Sequence, residues 1–207
     1  MLPLRTFIAV DIPPSIQQAI QEKVNDLRRY AGETVRWVQV KNIHLTLKFL
    51  GDIPPSGVEE LTRTLQTEAD SCPAFDIAIG GLGSFPSSKR PRVLYIGVQA
   101  PAGLEALQGA IEAACSRLGY ESDPRPFSPH LTIGRVRGHA SPDRLQKLRR
   151  ALEETTIDSL GTVRVDSVHL YKSELKPGGP LYTELFSAPL HPIITRSREQ
   201  TANETPN

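Results

Sequence analysis

The strongest constraint on the fold is a pattern that occurs twice in the 207-residue chain. The triplet His-Leu-Thr stands at residues 44–46 and again at 130–132, an offset of 86 (130 − 44). The apolar stretches that open the two halves, near Phe7 and near Val93, show the same offset of 86 (93 − 7). Each half reads as strand, helix, strand beginning with the triplet, helix and strand. This agreement predicts an internal duplication, and two copies are too few for a solenoid.

Apolar spacing and prolines predict the helices of both halves. After Pro13 the residues Ile16, Ile20 and Val24 recur every four positions, which is typical of a helix with one buried face. Pro101 begins a similar pattern in the second half. We therefore expect an α+β fold of two lobes of antiparallel sheet, related by a pseudo-twofold axis, with helices outside and a central cleft.

The predicted domain organisation is a single bilobal domain over residues 1–191, with halves at about 5–88 and 93–188. A strand is expected at 75–79, followed by a loop that starts at the glycines from Gly80 onward. Residues 192–207 are polar and poor in apolar side chains, so we expect a disordered tail there.

Composition bounds the classes of function. The chain is 39% hydrophobic and 23% charged, which excludes wholesale disorder, collagen and coiled coil. With 24 Lys+Arg against 23 Asp+Glu, a net charge of +1 gives no global field, so an anionic ligand needs a local site. No window of about 18 apolar residues and no signal-like segment occurs. We expect a soluble, cytoplasmic monomer whose cysteines, Cys72 and Cys115, are reduced core residues.

The triplets carry the candidate chemistry. Side chains alternate along a strand, so His44 and Thr46 project to one face and Leu45 to the other. The same alternation pairs His130 with Thr132. A pseudo-twofold axis would turn both polar pairs toward one cleft. Two imidazoles and two hydroxyls there suit phosphodiester cleavage, in which a neutral imidazole activates the nucleophile and a protonated one donates to the leaving oxygen.

A purely structural interpretation of the triplets is weaker. One His-x-Thr on a strand means little, because Thr favours strands and His tolerates half-buried positions. Two copies that enter strands at matching places in a duplicated pattern favour the functional interpretation. No group of His, Cys, Asp and Glu has metal-ligand spacing, so neither a metal nor another cofactor is expected.

Longer motifs resemble a known family. HLTLKFLG (44–51) and HLTIGRV (130–136) occur together with FIAVDIP (7–13) and SVHLYKSEL (167–175). These motifs are similar to those of the two-histidine phosphoesterases, and more narrowly to the RNA 2′,3′-cyclic phosphodiesterases, formerly called 2′-5′ RNA ligases. The resemblance extends over about residues 4–188.

The resemblance implies a bilobal fold with a central cleft and hydrolysis of a terminal 2′,3′-cyclic phosphate on RNA to a 2′-phosphomonoester, with RNA joining as the reverse reaction. By motif position, the resemblance implies that His44 is the proton donor to the leaving 3′ oxygen and that His130 is the proton acceptor that activates water. It also implies that Thr46 and Thr132 bind the phosphate. Arg135 stands where the family often has a phosphate-binding arginine.

Arg135 raises a geometric problem. Strict alternation along the strand aims its side chain away from His130. A phosphate-binding role therefore requires a bulge or a strand end at Gly134, which glycine permits.

Other residues carry weaker indications. His139 and His191 are predicted to be solvated surface residues, and His169 could line the cleft. Lys48 has the same strand parity as His44, although an exposed strand lysine is the default.

Phe7 and Trp37 are candidates for stacking on a base, but core packing explains them equally well. The glycines at 80–83 lack the sequence of a triphosphate-binding loop. Two rival functions stay open at this point. One is a two-histidine phosphoesterase acting on a small cyclic nucleotide such as ADP-ribose 1″,2″-cyclic phosphate, and the other is a non-catalytic RNA- or nucleotide-binding module.

Overall fold

Strands and helices alternate in the order that the duplicated pattern predicts. A computed structural model describes residues 2–191, so the disordered tail expected at 192–207 lies outside the described residues. The strands are β1 (Leu4–Asp11), β2 (Val35–Trp37), β3 (His44–Ile53), β4 (Phe75–Phe85), β5 (Val93–Gln99), β6 (His130–Val136), β7 (Ser159–Val165), β8 (Ser167–Lys176) and β9 (Gly179–Pro189). The α-helices are α1 (Pro14–Ala31), α2 (Val58–Asp70), α3 (Ala102–Arg117) and α4 (Pro142–Glu154).

The strands form one antiparallel sheet whose order is symmetric about its centre. That order is β7-β4-β5-β6-β3-β1-β8-β9, with β2 paired to β6. On each side of the β3–β6 contact stands the opening strand of one half, β1 beside β3 and β5 beside β6. We call the strands on either side of this contact the first lobe (β3, β1, β8, β9) and the second lobe (β6, β5, β4, β7). The predicted α+β class is confirmed.

The lobes exchange strands between the two halves of the sequence. Strand β4 belongs to the first half but pairs with β5 and β7, whereas β8 and β9 complete the first lobe. The chain must therefore cross between lobes, and neither half of the sequence closes its own lobe. The division into halves at 5–88 and 93–188 stays a prediction.

The helices cover the apolar face of the sheet. Helix α1 buries Ile16, Ile20 and Val24, the residues whose spacing predicted it. The thiols of Cys72 and Cys115 are free and buried, as expected of core cysteines. Among the described residues no helix is both long enough and apolar enough to span a bilayer.

Cross-strand pairing repeats the offset seen in the sequence. Ala9 pairs with Thr46 in the first lobe, and Tyr95 pairs with Thr132 in the second. Each residue of the second pair stands 86 positions after its counterpart in the first pair (95 − 9 and 132 − 46). Register decides which face of a sheet each side chain occupies. The duplicated strands therefore present matching positions to the same side.

Each triplet strand carries a β-bulge at the matching position. The pairing of β1 with β3 skips Leu47, and the pairing of β5 with β6 skips Ile133, again 86 apart (133 − 47). A bulge adds one residue to one strand and reverses the alternation of faces beyond it. Lys48 consequently lies on the buried side together with Leu47 and not on the face of His44. The expectation of an exposed Lys48 was wrong for this reason.

Lys48 forms a buried ion pair that holds helix α3 against β3. Its side chain is 2% exposed, and its Nζ lies 2.5 Å from Oε1 of Glu112 on α3. The same ammonium group donates to the carbonyl oxygen of Glu121 at 2.6 Å. Burying a charge is costly unless it is paired, so these two acceptors are what make the position tolerable.

The glycine-rich segment continues a strand where a loop was expected. Strand β4 runs through to Phe85, and a Cβ on Gly80 would lie 2.5 Å from the carbonyl oxygen of Asp158. A Cβ on Gly83 would overlap the ring of Tyr95. Glycine therefore serves close approach in this strand rather than chain reversal. At Gly83 it makes room for an aromatic ring in the cleft.

We expect Glu112→Ala to lower the free energy of unfolding by about 3 kcal/mol, because it leaves the Lys48 ammonium buried without its carboxylate. The double variant Lys48→Met/Glu112→Leu should lose less, since it removes both charges and keeps the volume filled. Urea unfolding measures both. A double variant that is less stable than Glu112→Ala would contradict the electrostatic origin of the loss.

Candidate active site

The two triplets meet where β3 touches β6. The contact consists of one registered antiparallel pair, Leu45 opposite Leu131. In antiparallel strands the residue before one partner faces the residue after the other, so each triplet's histidine lies across from the other triplet's threonine. Both leucines are fully buried. The two histidines and two threonines therefore point to the opposite face, which is the cleft.

Both imidazoles are held by the same local hydrogen bond. Nδ1 of His44 lies 2.9 Å from the carbonyl oxygen of Asn42, and Nδ1 of His130 lies 2.6 Å from that of Ser128. A carbonyl oxygen only accepts, so Nδ1 carries the proton in each ring. This hydrogen bond leaves Nε2 as the ring atom able to take or give a proton in the cleft.

Aromatic rings support His44. Phe7 stacks on its imidazole with centroids 4.7 Å apart, and Tyr182 meets it edge-on at 5.2 Å. Tyr171 stacks on Phe7 in turn, at 5.4 Å. Phe7 is 4% exposed, so it packs beneath the imidazole as part of the cleft wall. Of the two roles weighed for Phe7, the structure supports packing.

Different aromatic residues support His130. Phe85 meets the imidazole edge-on at 4.9 Å, Tyr95 contacts it at 5.4 Å, and these two rings stack on each other at 4.5 Å. The position that matches Phe7 in the duplicated sequence is Val93. The aromatic residues around the two histidines therefore do not occupy matching positions. The offset of 86 residues could not predict them.

The electrostatic environment of His44 favours its neutral form in the free protein. Burial lowers the pKa of His44 below 6.5, while the hydrogen bond to the carbonyl of Asn42 and the negative charge of Asp11 raise it in part. A bound phosphodiester would add negative charge beside the ring. Such a ligand would favour the protonated imidazole.

The two motif hydroxyls remain available to a ligand. Thr46 and Thr132 are half-buried on the cleft face. Within residues 2–191 neither hydroxyl has a hydrogen-bond partner. Hydroxyls in this position are suited to donate to phosphate oxygens.

Arg135 returns to the cleft face because of the bulge. The bulge at Ile133 places Ile133 and Gly134 together on the buried side, so that Arg135 is exposed on the other side. Burial raises the pKa of Tyr182, and the positive charges of Arg135 and Arg5 lower it in part. Tyr182 touches the ring of His44, so the positive charge of Arg135 acts on a residue of the cleft wall.

Trp37 lies on β2 opposite Gly134 of β6, two residues beyond Thr132. His139 and His191 are exposed, as predicted. Trp37 is half-buried, and the guanidinium of Arg28 stands 5.7 Å from its ring centroid. Its ring is thus engaged by a cation of helix α1.

His169 belongs to a charged network that sequence spacing could not reveal. Its Nδ1 lies 2.9 Å from Oε2 of Glu184, and its Nε2 lies 3.2 Å from Oγ of Ser167. The Tyr171 hydroxyl donates to both carboxylate oxygens of Asp11, at 2.8 and 2.9 Å. Donor atoms of Asp11, His169 and Glu184 lie within 4.8 Å of one another. These residues come from three strands, which is why no ligand spacing appeared, and each already has a protein partner.

Comparison with known proteins agrees with this geometry. The sequence profile of the 2′-5′ RNA ligase superfamily matches residues 12–177. An RNA 2′,3′-cyclic phosphodiesterase of Methanothermobacter thermautotrophicus is 32% identical over 182 residues, which cover 88% of this chain and 96% of the relative. One from Archaeoglobus fulgidus is 33% identical over 183 residues, covering 88% and 98%.

Solved structures give the same result. The crystal structure of TT0787 of Thermus thermophilus matches with a TM-score of 0.76 and 27% identity, covering 90% of this chain and 98% of that one. E. coli LigT complexed with 3′-AMP matches with a TM-score of 0.72 and 28% identity, covering 91% and 98%. The chain therefore belongs to the 2′-5′ RNA ligase superfamily, the two-histidine phosphoesterases that its paired triplets resemble.

Proposed function

We propose that the protein is an RNA 2′,3′-cyclic phosphodiesterase that converts a cyclic phosphate end to a 2′-phosphomonoester without a metal or another cofactor. The observation that carries the proposal is the placement of two imidazoles and two hydroxyls around the Leu45–Leu131 pair. Relatives that share about a third of its residues bear the name of this activity.

The arrangement suits in-line displacement at phosphorus. The attacking and leaving oxygens stand on opposite sides of the phosphorus, so the two proton transfers must also occur on opposite sides. His44 and His130 flank the β3–β6 contact from its two sides and each present Nε2. One imidazole can thus serve the entering water and the other the departing 3′ oxygen.

The proposed step balances as follows. Nε2 of neutral His130 takes a proton from water while the water oxygen bonds to phosphorus. The bond from phosphorus to the 3′ oxygen breaks, and Nε2 of protonated His44 gives its proton to that oxygen. The products are a 2′-phosphomonoester and a free 3′-hydroxyl, and exchange with solvent restores both imidazoles.

The other motif residues act on the phosphate. The hydroxyls of Thr46 and Thr132 donate to its non-bridging oxygens, and Arg135 contributes a positive charge. When the 5′-hydroxyl of a second RNA replaces water as the nucleophile, the same proton transfers form a 2′-5′ linkage. This is the ligation reaction that we propose for the same site.

The deciding experiment offers the protein an RNA oligomer with a 2′,3′-cyclic phosphate end and separates 2′- from 3′-phosphate products. We expect the 2′-phosphate. Faster turnover of ADP-ribose 1″,2″-cyclic phosphate would instead identify a small cyclic nucleotide as the substrate. Binding of the RNA without hydrolysis of either compound would leave a non-catalytic module.

We expect His44→Ala and His130→Ala each to reduce kcat by about 10²- to 10⁴-fold, because each removes one proton-transfer partner. Activity of the unaltered protein should persist in excess EDTA. His139→Ala is the matched control, since it removes an exposed imidazole. Near-full turnover in either cleft variant would disprove the paired mechanism.

A substrate with sulfur in place of the bridging 3′ oxygen separates the two roles. A thiolate leaves without protonation far more readily than an alkoxide, since a thiol has a pKa of about 8.5. We expect this substrate to restore most of the activity lost in His44→Ala and little of that lost in His130→Ala. Rescue of His130→Ala alone would reverse the assignment of donor and acceptor.

The lowered pKa of His44 gives a titration test. In the free protein its imidazole should titrate below 6.5 because burial disfavours the charged ring, and inorganic phosphate should move the midpoint upward. NMR of the histidine ring signals measures both midpoints. A midpoint above 6.5 without phosphate would contradict the burial argument.

Because donor and acceptor must differ in protonation, kcat/KM should fall at both pH extremes.

A further inference from the structure

The two histidines differ in the residue that stands opposite each on the neighbouring strand. Asp11 of β1 is the cross-strand partner of His44, whereas the matching partner of His130 on β5 is Gly97, 86 positions later (97 − 11). Directly opposed residues of an antiparallel pair share one face of the sheet. A carboxylate therefore lies beside one imidazole, and the equivalent place beside the other has no side chain.

The Asp11 carboxylate is held in place by the strands beyond β1. The Tyr171 hydroxyl donates to Oδ1 and Oδ2 at 2.9 and 2.8 Å, and Nε2 of His169 lies 3.9 Å from Oδ2. Burial and then this hydrogen bond raise the pKa of Tyr171, so the hydroxyl keeps its proton throughout the neutral range. Both contacts come from β8, and they fix the direction of the carboxylate.

The charged groups around this pair can be named element by element. Facing Asp11 are His44 of β3 and Tyr171 and His169 of β8, and Glu184 of β9 binds the far nitrogen of His169. Tyr182 of β9 touches His44, and the positive charges of Arg135 and Arg5 act on its hydroxyl. The carboxylates accordingly lie on the His44 side of the cleft.

Phe7 links the network to the ring of His44. Phe7 stacks on the imidazole at 4.7 Å and on Tyr171 at 5.4 Å. Tyr171, which orients Asp11, therefore also supports the ring of His44 through Phe7. Burial among these rings disfavours the imidazolium, and the negative charge of Asp11 acts in the opposite direction. A proton donor in an aromatic wall needs such a counter-charge.

We propose that Asp11 is a positioning residue that gives His44 the role of proton donor: its carboxylate stabilises the imidazolium of His44, while Gly97 leaves His130 without a counterpart. Asp11 transfers no proton itself. This inference rests on the proposed function, and it supplies the asymmetry that two duplicated His-Leu-Thr triplets lack.

Asp11→Asn tests the inference, because it keeps the shape of the side chain and removes its charge. We expect kcat/KM at pH 8 to fall about 3- to 10-fold and the NMR midpoint of His44 to move down by about 0.5 to 1 pH unit. The limb of the pH profile that coincides with this midpoint should move with it. The effect is bounded because the Asp11 side chain is 54% exposed and therefore screened.

Three further variants control the measurement. Asp11→Glu should recover part of the lost activity, because the charge returns at a slightly different distance. Asp70→Asn removes an equal charge from an exposed position at the end of helix α2 and should leave the His44 midpoint and the pH profile unchanged. Tyr171→Phe releases the carboxylate without altering any charge, so it should shift the midpoint in the same direction by less. This variant carries the test if Asp11→Asn does not fold.

The outcomes separate this inference from the proposed function. An unchanged His44 midpoint in folded Asp11→Asn, or an equal loss of activity at every pH, would overturn the role of Asp11 even if the unaltered protein hydrolyses the cyclic phosphate. A shifted midpoint in a protein that hydrolyses no cyclic phosphate would overturn the proposed function and keep the electrostatic coupling.

Discussion

The single registered pair between Leu45 and Leu131 is the constraint on which the site depends. It is where the two lobes of the sheet become continuous, and it fixes the axis about which the triplets are arranged. Burial of the two leucines sends the flanking histidines and threonines to the other face. A slip of one residue in this contact would exchange the two faces and place apolar side chains in the cleft.

Part of this architecture was predictable from the sequence alone. The offset of 86 residues predicted matching strands, and alternation predicted which triplet residues share a face. The bulge in β3 was not predictable, because Leu47-Lys48 reads as ordinary alternation and only the cross-strand register shows that Leu47 has no partner. In β6 the position of Arg135 had already pointed to a bulge or a strand end at Gly134, and the register shift lies directly before that glycine. The same limit applied at Gly80, where close approach to Asp158 and a chain reversal call for the same residue.

The bulge explains how one strand serves two purposes. Before it, the polar residues of the triplet face the cleft, and after it, alternation resumes with the opposite parity. In β3 the reversal buries Lys48 against Glu112 and ties the strand to helix α3. In β6 it returns Arg135 to the cleft face. One backbone feature, present at matching positions of both strands, therefore ties β3 to helix α3 in the first lobe and places Arg135 on the cleft face in the second.

Two matching triplets alone would give equivalent imidazoles, but the proton donor and acceptor that we propose must be inequivalent. The sheet is matched only near its centre, since β8 and β9 flank β1 while β4 and β7 flank β5. Tyr171 and His169 of β8 contact Asp11, and Glu184 of β9 binds His169, so this network belongs to the first lobe. These outer strands are different segments of the chain, so the surroundings of β1 and β5 differ although the triplet strands match. The matched triplets of β3 and β6 thus place the two imidazoles equivalently, whereas Asp11 on β1, Gly97 at the matching place on β5, and the β8 residues around Asp11 make their surroundings different.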